Sequence, residues 1–351
     1  MNPEYIFFII FICFIILVLA LDLGILSKPG QQVSFTNAIA WTGVWITFSI
    51  MFFLFLRQFG HFVHGISSQE ELVAIARQYQ PDLKFQSAVF AENLSQYNSR
   101  ISLDYLTGYF IEYSLSVDNL FVILLIFDSF NVSSTYYKKI LLWGVIGAIV
   151  LRMVFIFSGS MLIASFHWIL YIFGVFLIFS GIKILLSGNQ DKKMDVEKHP
   201  IVRFTSKYFS VWPEYVRGKF IHKHNGKNHL TPLFIVLLVV EFSDLVFAVD
   251  SVPAIFSVTQ DPYIVFFSNI FAIMGLRSLF FLLSNTMHLF TYLKYGLGLL
   301  LAFIGLKMLF EHWFDEIGFN NVISLIVILG ILSGSILLSI LFPKKKKVSG
   351  H

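Results

Sequence analysis

Long apolar stretches separated by polar segments run along the whole chain. A transmembrane helix needs about 20 mostly apolar residues, and nine stretches reach roughly that length. They predict spans at residues 5–26, 38–58, 104–130, 138–164, 167–187, 231–259, 262–287, 292–312 and 318–342. The first stretch lacks the basic start and the small-residue cleavage site of a signal peptide, so we expect it to remain as a helix.

Composition agrees with a membrane protein. Hydrophobic residues make up 57% of the 351 residues and charged residues 13%, against about 45–50% and about 25% in soluble proteins. A single cysteine, Cys13, excludes an intrachain disulfide and a cysteine-based metal site. The net charge of +4 is too small to indicate a nucleic-acid partner. The predicted fold class is an all-α polytopic membrane protein whose surroundings are the lipid bilayer.

The distribution of Lys and Arg predicts the orientation, because basic loops stay in the cytoplasm. If the loop 188–230 is cytoplasmic, 17 of the 25 basic residues lie in loops on that side, four lie outside and four lie within spans. We therefore expect a location in the cell inner (plasma) membrane, with an external N-terminus and a cytoplasmic C-terminus.

Three segments recur in the same order along the chain. LSVDNLFVI at 115–123 is similar to FAVDSVPAI at 247–255, LRMVFIFSGSM at 151–161 to LRSLFFLLSNT at 276–286, and FGVFLIFSGIKIL at 173–185 to LGLLLAFIGLKML at 297–309. Each unit contains three predicted spans, so the two units enter the membrane in opposite directions. Inverted repeats of this kind build many secondary transporters.

The repeat divides the chain into six predicted parts. They are two N-terminal transmembrane helices (1–58), an external polar connector (59–103), the first three-helix repeat (104–187), a cytoplasmic basic loop containing histidines (188–230), the second three-helix repeat (231–312), and a final transmembrane helix with a basic cytoplasmic tail (313–351).

Five carboxylates lie deep in the predicted spans, where a charge costs about 2.5–3.5 kcal/mol on the insertion scale. They are Glu112 and Asp118 in the first repeat and Glu241, Asp244 and Asp250 in the second. Both sets fall near the membrane midplane, where inverted-repeat transporters bind their substrates. The repeat aligns Glu112 with Asp244 and Asp118 with Asp250, so we predict one functional acidic site shared by the two units.

Further charges within or near the spans are Asp22, Arg152, Lys183, Arg277 and Lys307. The bases need acidic partners, so a purely structural set of ion pairs is the alternative interpretation. A helix unwound around Val249–Pro253 would add main-chain oxygens to the carboxylates. Together with Asn119 and Ser251 these form an all-oxygen ligand set, which suits hard divalent cations such as Mn²⁺, Mg²⁺ and Ca²⁺.

We also searched the sequence for enzyme and nucleotide-binding motifs and for histidine clusters. G-x-S-x-G, H-E-x-x-H and P-loop motifs do not occur, so we expect neither an enzyme nor transport driven by ATP, and no tightly bound cofactor. The histidines of HKHNGKNHL, at residues 222–230, suit capture of a metal, with a solvated basic loop as the alternative. For His61 and His64 we expect interfacial packing rather than metal binding.

Four longer motifs carry a resemblance to a known family. FIEYSLSVDNLFVILLIF, FHWILYIFGVFLIFSGIKIL, LLVVEFSDLVFAVDSVPAIF and SNIFAIMGLRSLFFLL resemble the TerC family of integral membrane proteins. The resemblance implies a multi-pass protein of the LysE-like transporter superfamily, linked to tellurium resistance by name and to manganese efflux by function. The motif residues that it carries over are Glu112, Asp118, Asn119, Glu241, Asp244, Asp250 and Ser251.

Three functions stay open at this point. The first is secondary efflux of Mn²⁺ in metal homeostasis, with protons as the counter-ion, because clustered carboxylates are expected to hold protons when no metal is bound. The second is assembly of membrane proteins or delivery of metal, with the secretion machinery as partner. The third is export of another small solute. Five deep acids favour a cation over a zwitterion.

Overall fold

The computed structural model describes residues 3–26, 35–85, 87–166, 168–186, 199–216, 218–286, 292–316, 319 and 321–341. Its helices are α1 (Pro3–Leu26), α2 (Phe35–Phe59), α3 (Gln69–Tyr79), α4 (Phe90–Ser129), α5 (Ser134–Ser165), α6 (Ile169–Leu186), α7 (Pro200–Tyr208), α8 (Pro232–Phe256), α9 (Pro262–Thr286), α10 (Leu293–Leu309), α11 (Glu311–Glu316) and α12 (Asn321–Leu341). A 3₁₀ turn at Gly60–Val63 follows α2. Two antiparallel strands, β1 (Ile221–His224) and β2 (Lys227–Leu230), precede α8.

Every predicted span contains a helix, and the all-α polytopic class is confirmed. Among the described residues, eight helices are long and apolar enough to cross a membrane. The remaining predicted span corresponds to α10, which is shorter at 17 residues. Helices are the expected solution here, because a helix satisfies its own backbone polar groups and the lipid offers no hydrogen-bond partners. The predicted basic run at the C-terminus lies outside the described residues.

The predicted external connector is more helical than expected. α3 begins with a capping box, in which the Ser68 hydroxyl accepts from the Glu71 N–H and the Glu71 carboxylate accepts from the Ser68 N–H, both at 3.2 Å. α4 begins at Phe90, well before the predicted span start at 104. The reason is an apolar face: Tyr97, Ile101 and Tyr105 lie four residues apart and are fully buried.

The centre of the bundle is α9, which packs against α2, α4 and α5. Of the residues in its apolar stretch, 83% are buried. Its phenylalanines meet aromatic rings from α1 and α2, for example Phe267 with Phe11 at a centroid distance of 4.4 Å and Phe271 with Phe52 at 5.0 Å. By contrast, α1 and α12 expose large apolar side chains, as expected of helices at a lipid boundary.

The third helices of the two repeats, α6 and α10, pack through glycines. A Cβ on Gly181 would lie 2.5 Å from the Gly298 carbonyl oxygen, and a Cβ on Gly298 would lie 2.9 Å from the Gly181 carbonyl oxygen. The same reciprocal contact joins Gly174 and Gly305, at 3.1 and 2.6 Å. The repeat aligns Gly174 with Gly298 and Gly181 with Gly305. Reciprocal contacts between aligned positions are the signature of a two-fold axis, so the two helices run antiparallel across one.

His64 ties the start of α1 to the turn between α8 and α9. Its Nδ1 lies 2.8 Å from Glu4 Oε1 and its Nε2 lies 2.8 Å from Asp261 Oδ2, with the side chain fully buried. The Tyr79 ring stacks on it at 5.1 Å. Burial disfavours the charged ring, but the Asp261 and Glu4 carboxylates outweigh this effect and raise the pKa of His64 to about 9. His64 is therefore the charged centre of a buried ion cluster rather than a residue packed at an interface.

The loop predicted at 188–230 contains α7 and the β-hairpin in its described part. The backbone N–H of Trp212 donates to the Leu230 carbonyl at 2.8 Å. This bond places the Trp212 indole against the hairpin. The indole meets three imidazoles, with centroids 4.8 Å from His222, 4.8 Å from His224 and 5.6 Å from His229. The contact of Trp212 with three histidines was not predicted from the sequence.

Candidate functional site

Glu112 lies in the middle of α4 and is completely buried. One turn later on the same helix, the Ser116 hydroxyl donates to Glu112 Oε1 at 3.0 Å. Glu112 Oε1 also accepts from Arg152 Nη1. Glu112 Oε2 is buried with no hydrogen-bond partner among the described residues. The first predicted acid is therefore an ion-pair partner with one oxygen left unused.

Arg152 on α5 joins the two repeats. Its side chain is completely buried, and Nη2 and Nε donate to Asp244 Oδ1 and Oδ2 on α8, at 3.2 and 3.5 Å. Its Nη1 donates to Glu112 on α4 and, at 2.7 Å, to Asn269 Oδ1 on α9. The Asn269 amide is fixed in this direction because its Nδ2 donates to the Val265 carbonyl at 3.0 Å. One guanidinium thus links the aligned acids Glu112 and Asp244.

Glu241 lies one turn before Asp244 on α8 and faces the glycines of α5. A methyl group on Gly147 would overlap the Glu241 carboxylate, so only glycine leaves room for it there. Glu241 Oε2 is buried and has no hydrogen-bond partner within the described part of the chain. Glu241, Asp244 and Arg277 line one cavity together with apolar side chains of α4, α5 and α9. Both acids of this turn therefore border the same internal space.

Asp250 makes a separate contact, with α6. Its Oδ1 accepts from the Ser180 hydroxyl at 3.0 Å. The neighbouring Ser251 is buried, and so is Asn119 on α4; Ser251 Oγ and Asn119 Nδ2 have no hydrogen-bond partners in the described regions. Asp118 lies on α4 and Asp22 on α1, but their side chains fall outside the described residues.

The two lysines predicted as supporting charges lie on α6 and α10, and Lys183 acts electrostatically on the Asp250 carboxylate. Lys183 on α6 is exposed. Lys307 on α10 lines a second cavity with Gln80, Asp104 and residues 256–260 that follow α8. Arg152 is buried among the acids whereas Lys183 is exposed, so the two bases do not stabilise the site in the same way, although both lie within predicted spans.

The predicted unwinding of α8 is wrong. The helix continues from Pro232 through Pro253 to Phe256. Pro253 lies three residues from the helix end, so it removes the bond to the Val249 carbonyl without breaking the turns that follow. The Ser257 N–H donates to the Pro253 carbonyl at 3.1 Å and the Ser257 hydroxyl to the Ala254 carbonyl at 2.7 Å. The site therefore offers side-chain oxygens rather than main-chain ones.

Three residues that lie against the candidate site residues are absent from the sequence-based prediction: Asn269, Ser180 and Gly147. Asn269 could have been found as the one amide in the apolar stretch FFSNIFAIMG. Across the part of the chain that the structure describes, no three His, Cys, Asp or Glu side chains are arranged to hold a metal ion. In this arrangement the Arg152 guanidinium holds Glu112 and Asp244 together.

Comparison with known proteins agrees with this architecture. The model of the integral membrane protein TerC family matches residues 97–347. A protein of Photorhabdus laumondii named "Putative membrane-bound redox modulator Alx" is 40% identical over 300 residues, 85% of this chain and 84% of the relative. Its namesake in Escherichia coli K12 is 39% identical, covering 90% and 88%.

Relatives in other bacteria are equally similar. An "Uncharacterized membrane protein" of Rickettsia felis is 37% identical over 333 residues, 95% of this chain and 97% of the relative. No solved structure matches the chain. Both the matched segment and the relatives cover most of the chain, and the repeats lie within the match. The chain belongs to the TerC family of integral membrane proteins.

Proposed function

We propose that the chain is a secondary transporter that exports a divalent metal cation, Mn²⁺, from the cytoplasm through the acidic site between its two repeats. The observation that carries the proposal is the meeting of Glu112 and Asp244 inside the bundle. These acids are aligned in the repeat and come from α4 and α8. Transporters built on inverted repeats bind their substrates at such a repeat interface.

The chemistry of the site supports a hard cation. Glu112, Asp244, Glu241 and Asn269 supply carboxylate and amide oxygens, the ligands that Mn²⁺, Mg²⁺ and Ca²⁺ prefer. Cys13, the single cysteine, is exposed on α1, away from this centre. A soft ion such as Cu⁺ would find no thiolate there.

The fold supports alternating access. α6 and α10 cross at paired glycines, where two backbones meet with few side chains between them. A seam of this kind lets one repeat rock against the other around the acidic site. We propose protons as the counter-ion, carried by Glu241, because it lies one turn from the Asp244 carboxylate and a neighbouring like charge favours the protonated form of a carboxyl group. The external N-terminus and the plasma-membrane location belong to the same proposal.

The name of the Alx relatives points to redox modulation. A thiol–disulfide mechanism within this chain needs two cysteines, and the chain has one. We therefore propose that any effect on redox state would follow from the metal that the protein moves. Assembly of membrane proteins, delivery of metal to the secretion machinery and export of another solute are the alternatives that the experiment must separate.

The test is flux in proteoliposomes that contain the full-length protein. Uptake or release of Mn²⁺, Mg²⁺, Ca²⁺ and Zn²⁺ is measured with and without an imposed pH gradient, and a protonophore serves as control. We expect protein-dependent Mn²⁺ flux that the gradient accelerates and that Asp244→Asn abolishes. Absence of flux for every cation would refute the proposal and favour an assembly or delivery role. Mn²⁺ flux that does not respond to the pH gradient would refute proton coupling but not metal transport.

A further inference from the structure

The atoms around Arg152 resemble a cation site more than a structural ion pair. Its guanidinium faces four oxygens from three helices: Glu112 Oε1, Asp244 Oδ1 and Oδ2, and Asn269 Oδ1. Hard divalent cations bind carboxylate and amide oxygens that converge in this way. The oxygens that hold the guanidinium are thus the same oxygens that would hold a metal.

Two unused oxygens strengthen this comparison. Glu112 Oε2 and Glu241 Oε2 are buried without a hydrogen-bond partner among the described residues, although buried carboxylate oxygens are normally satisfied. A guanidinium carries five N–H donors in a rigid plane and reaches only the oxygens that lie in its fork. These two oxygens are available to bind a ligand whose shape differs from that of a guanidinium.

We infer that Arg152 is a tethered cation that occupies the acidic site when no metal is bound, and that a divalent cation binds by displacing its guanidinium. This inference rests on the proposed function. It assigns to Arg152 a role in selecting divalent over monovalent cations. A divalent ion brings two charges to the carboxylates where the guanidinium brings one, so the exchange strengthens the Coulomb attraction. A monovalent ion brings no additional charge and loses the hydrogen bonds of Arg152, so Na⁺ and K⁺ are excluded.

The first test measures the equilibrium affinity of the purified full-length protein for Mn²⁺. Arg152→Lys keeps the positive charge but loses the forked donors that span Glu112, Asp244 and Asn269. If Arg152 competes for the site, this variant binds Mn²⁺ about tenfold more tightly, since a weaker competitor is displaced more easily. Arg100→Lys is the matched control, because Arg100 also pairs with a carboxylate, that of Asp104 on α4, but outside the acidic site. Unchanged or weaker binding by Arg152→Lys, or an equal gain in both variants, would overturn the inference.

The second test returns the missing group as a free molecule. In Arg152→Ala, methylguanidinium chloride should compete with Mn²⁺, so the apparent dissociation constant rises in proportion to its concentration. Tetramethylammonium chloride at the same ionic strength, and the wild-type protein with methylguanidinium, should show no such rise. If Arg152 has only a structural role, methylguanidinium should not compete with Mn²⁺. If Arg152→Ala does not fold, the affinity of Arg152→Lys decides alone.

Failure of the proposed transport and failure of the displacement of Arg152 give different results. Wild-type protein that neither binds nor transports a divalent cation would remove the proposed function itself. Wild-type protein that transports Mn²⁺, together with an Arg152→Lys variant of unchanged affinity, would leave the transporter in place and make Arg152 a structural residue.

Discussion

Gly147 is the position where the structure makes its sharpest prediction. A methyl group there would overlap the Glu241 carboxylate, and this carboxylate must retreat by more than about 1 Å to reach ordinary van der Waals separation. Displacing a packed group typically costs about 1–3 kcal/mol, whereas Ala stabilises a helix interior by about 0.8–1.0 kcal/mol relative to Gly. Gly147→Ala should therefore change stability by no more than about 2 kcal/mol, while it moves Glu241 out of position.

The assay is Mn²⁺ flux in proteoliposomes, with the thermal midpoint in detergent as the stability measurement. A misplacement of about 1 Å is expected to lower the rate by about 100-fold if Glu241 contacts the ion. Gly144→Ala is the matched control on the same helix, because its nearest neighbour is Val240 Cγ1 at an ordinary 3.6 Å. Glu241→Asp added to Gly147→Ala shortens the acid and should recover part of the flux. Equal flux in Gly147→Ala and Gly144→Ala would refute a role for Glu241.

The remaining predictions concern acids, pH and topology. Asp118→Asn and Asp250→Asn should each abolish flux in protein that is still inserted, since amides keep the shape but lose the charge that binds a hard cation; normal flux in both would place the site elsewhere. The pKa of His64 is raised, so the stability that its ion cluster gives, roughly 3 kcal/mol, is present below pH 6.5 and lost as pH rises to about 9. Thermal midpoints measured across this range should fall in the wild type and stay level in His64→Gln, and parallel curves would contradict this account. Reporter fusions should place the two termini on opposite sides, and both on one side would exclude an odd number of spans.

The helices were predictable because a membrane imposes a minimum length on every apolar stretch. The start of α4 was missed for a related reason: its first turns are polar on one side, so the helix begins before the apolar stretch does. The spacing of Tyr97, Ile101 and Tyr105 carried the signal that hydropathy did not. The β-hairpin was missed although its turn carries a local signal, since Asn225 and Gly226 both adopt the positive φ that a two-residue hairpin turn requires.

The candidate site was predictable as a set of charges but not as a geometry. Charged residues within apolar stretches stand out, so Glu112, Arg152 and Asp244 were found together. Asn269 carries no charge, and its role depends on a contact 117 residues along the chain from Arg152. The unwound α8 was wrong because the effect of a proline depends on its distance from the helix end. Near the end, few turns remain to be broken.

The two repeats are related by symmetry, but their ion pairs are not. Glu112 and Asp244 are aligned in the repeat, and so are Arg152 and Arg277, yet Arg152 is the arginine that bonds both acids here. Exchanging the conformations of the two repeats would give that place to Arg277 and, because the repeats are inverted, would open the site to the opposite side. The exchange is imperfect. Asn269, eight residues before Arg277, accepts a hydrogen bond from Arg152. The equivalent position in the first repeat, eight residues before Arg152, is Gly144, which has no side chain to accept from Arg277. If the exchanged state kept the other contacts, the arrangement seen here would hold its arginine with one more hydrogen bond, and we expect it to be the more stable of the two.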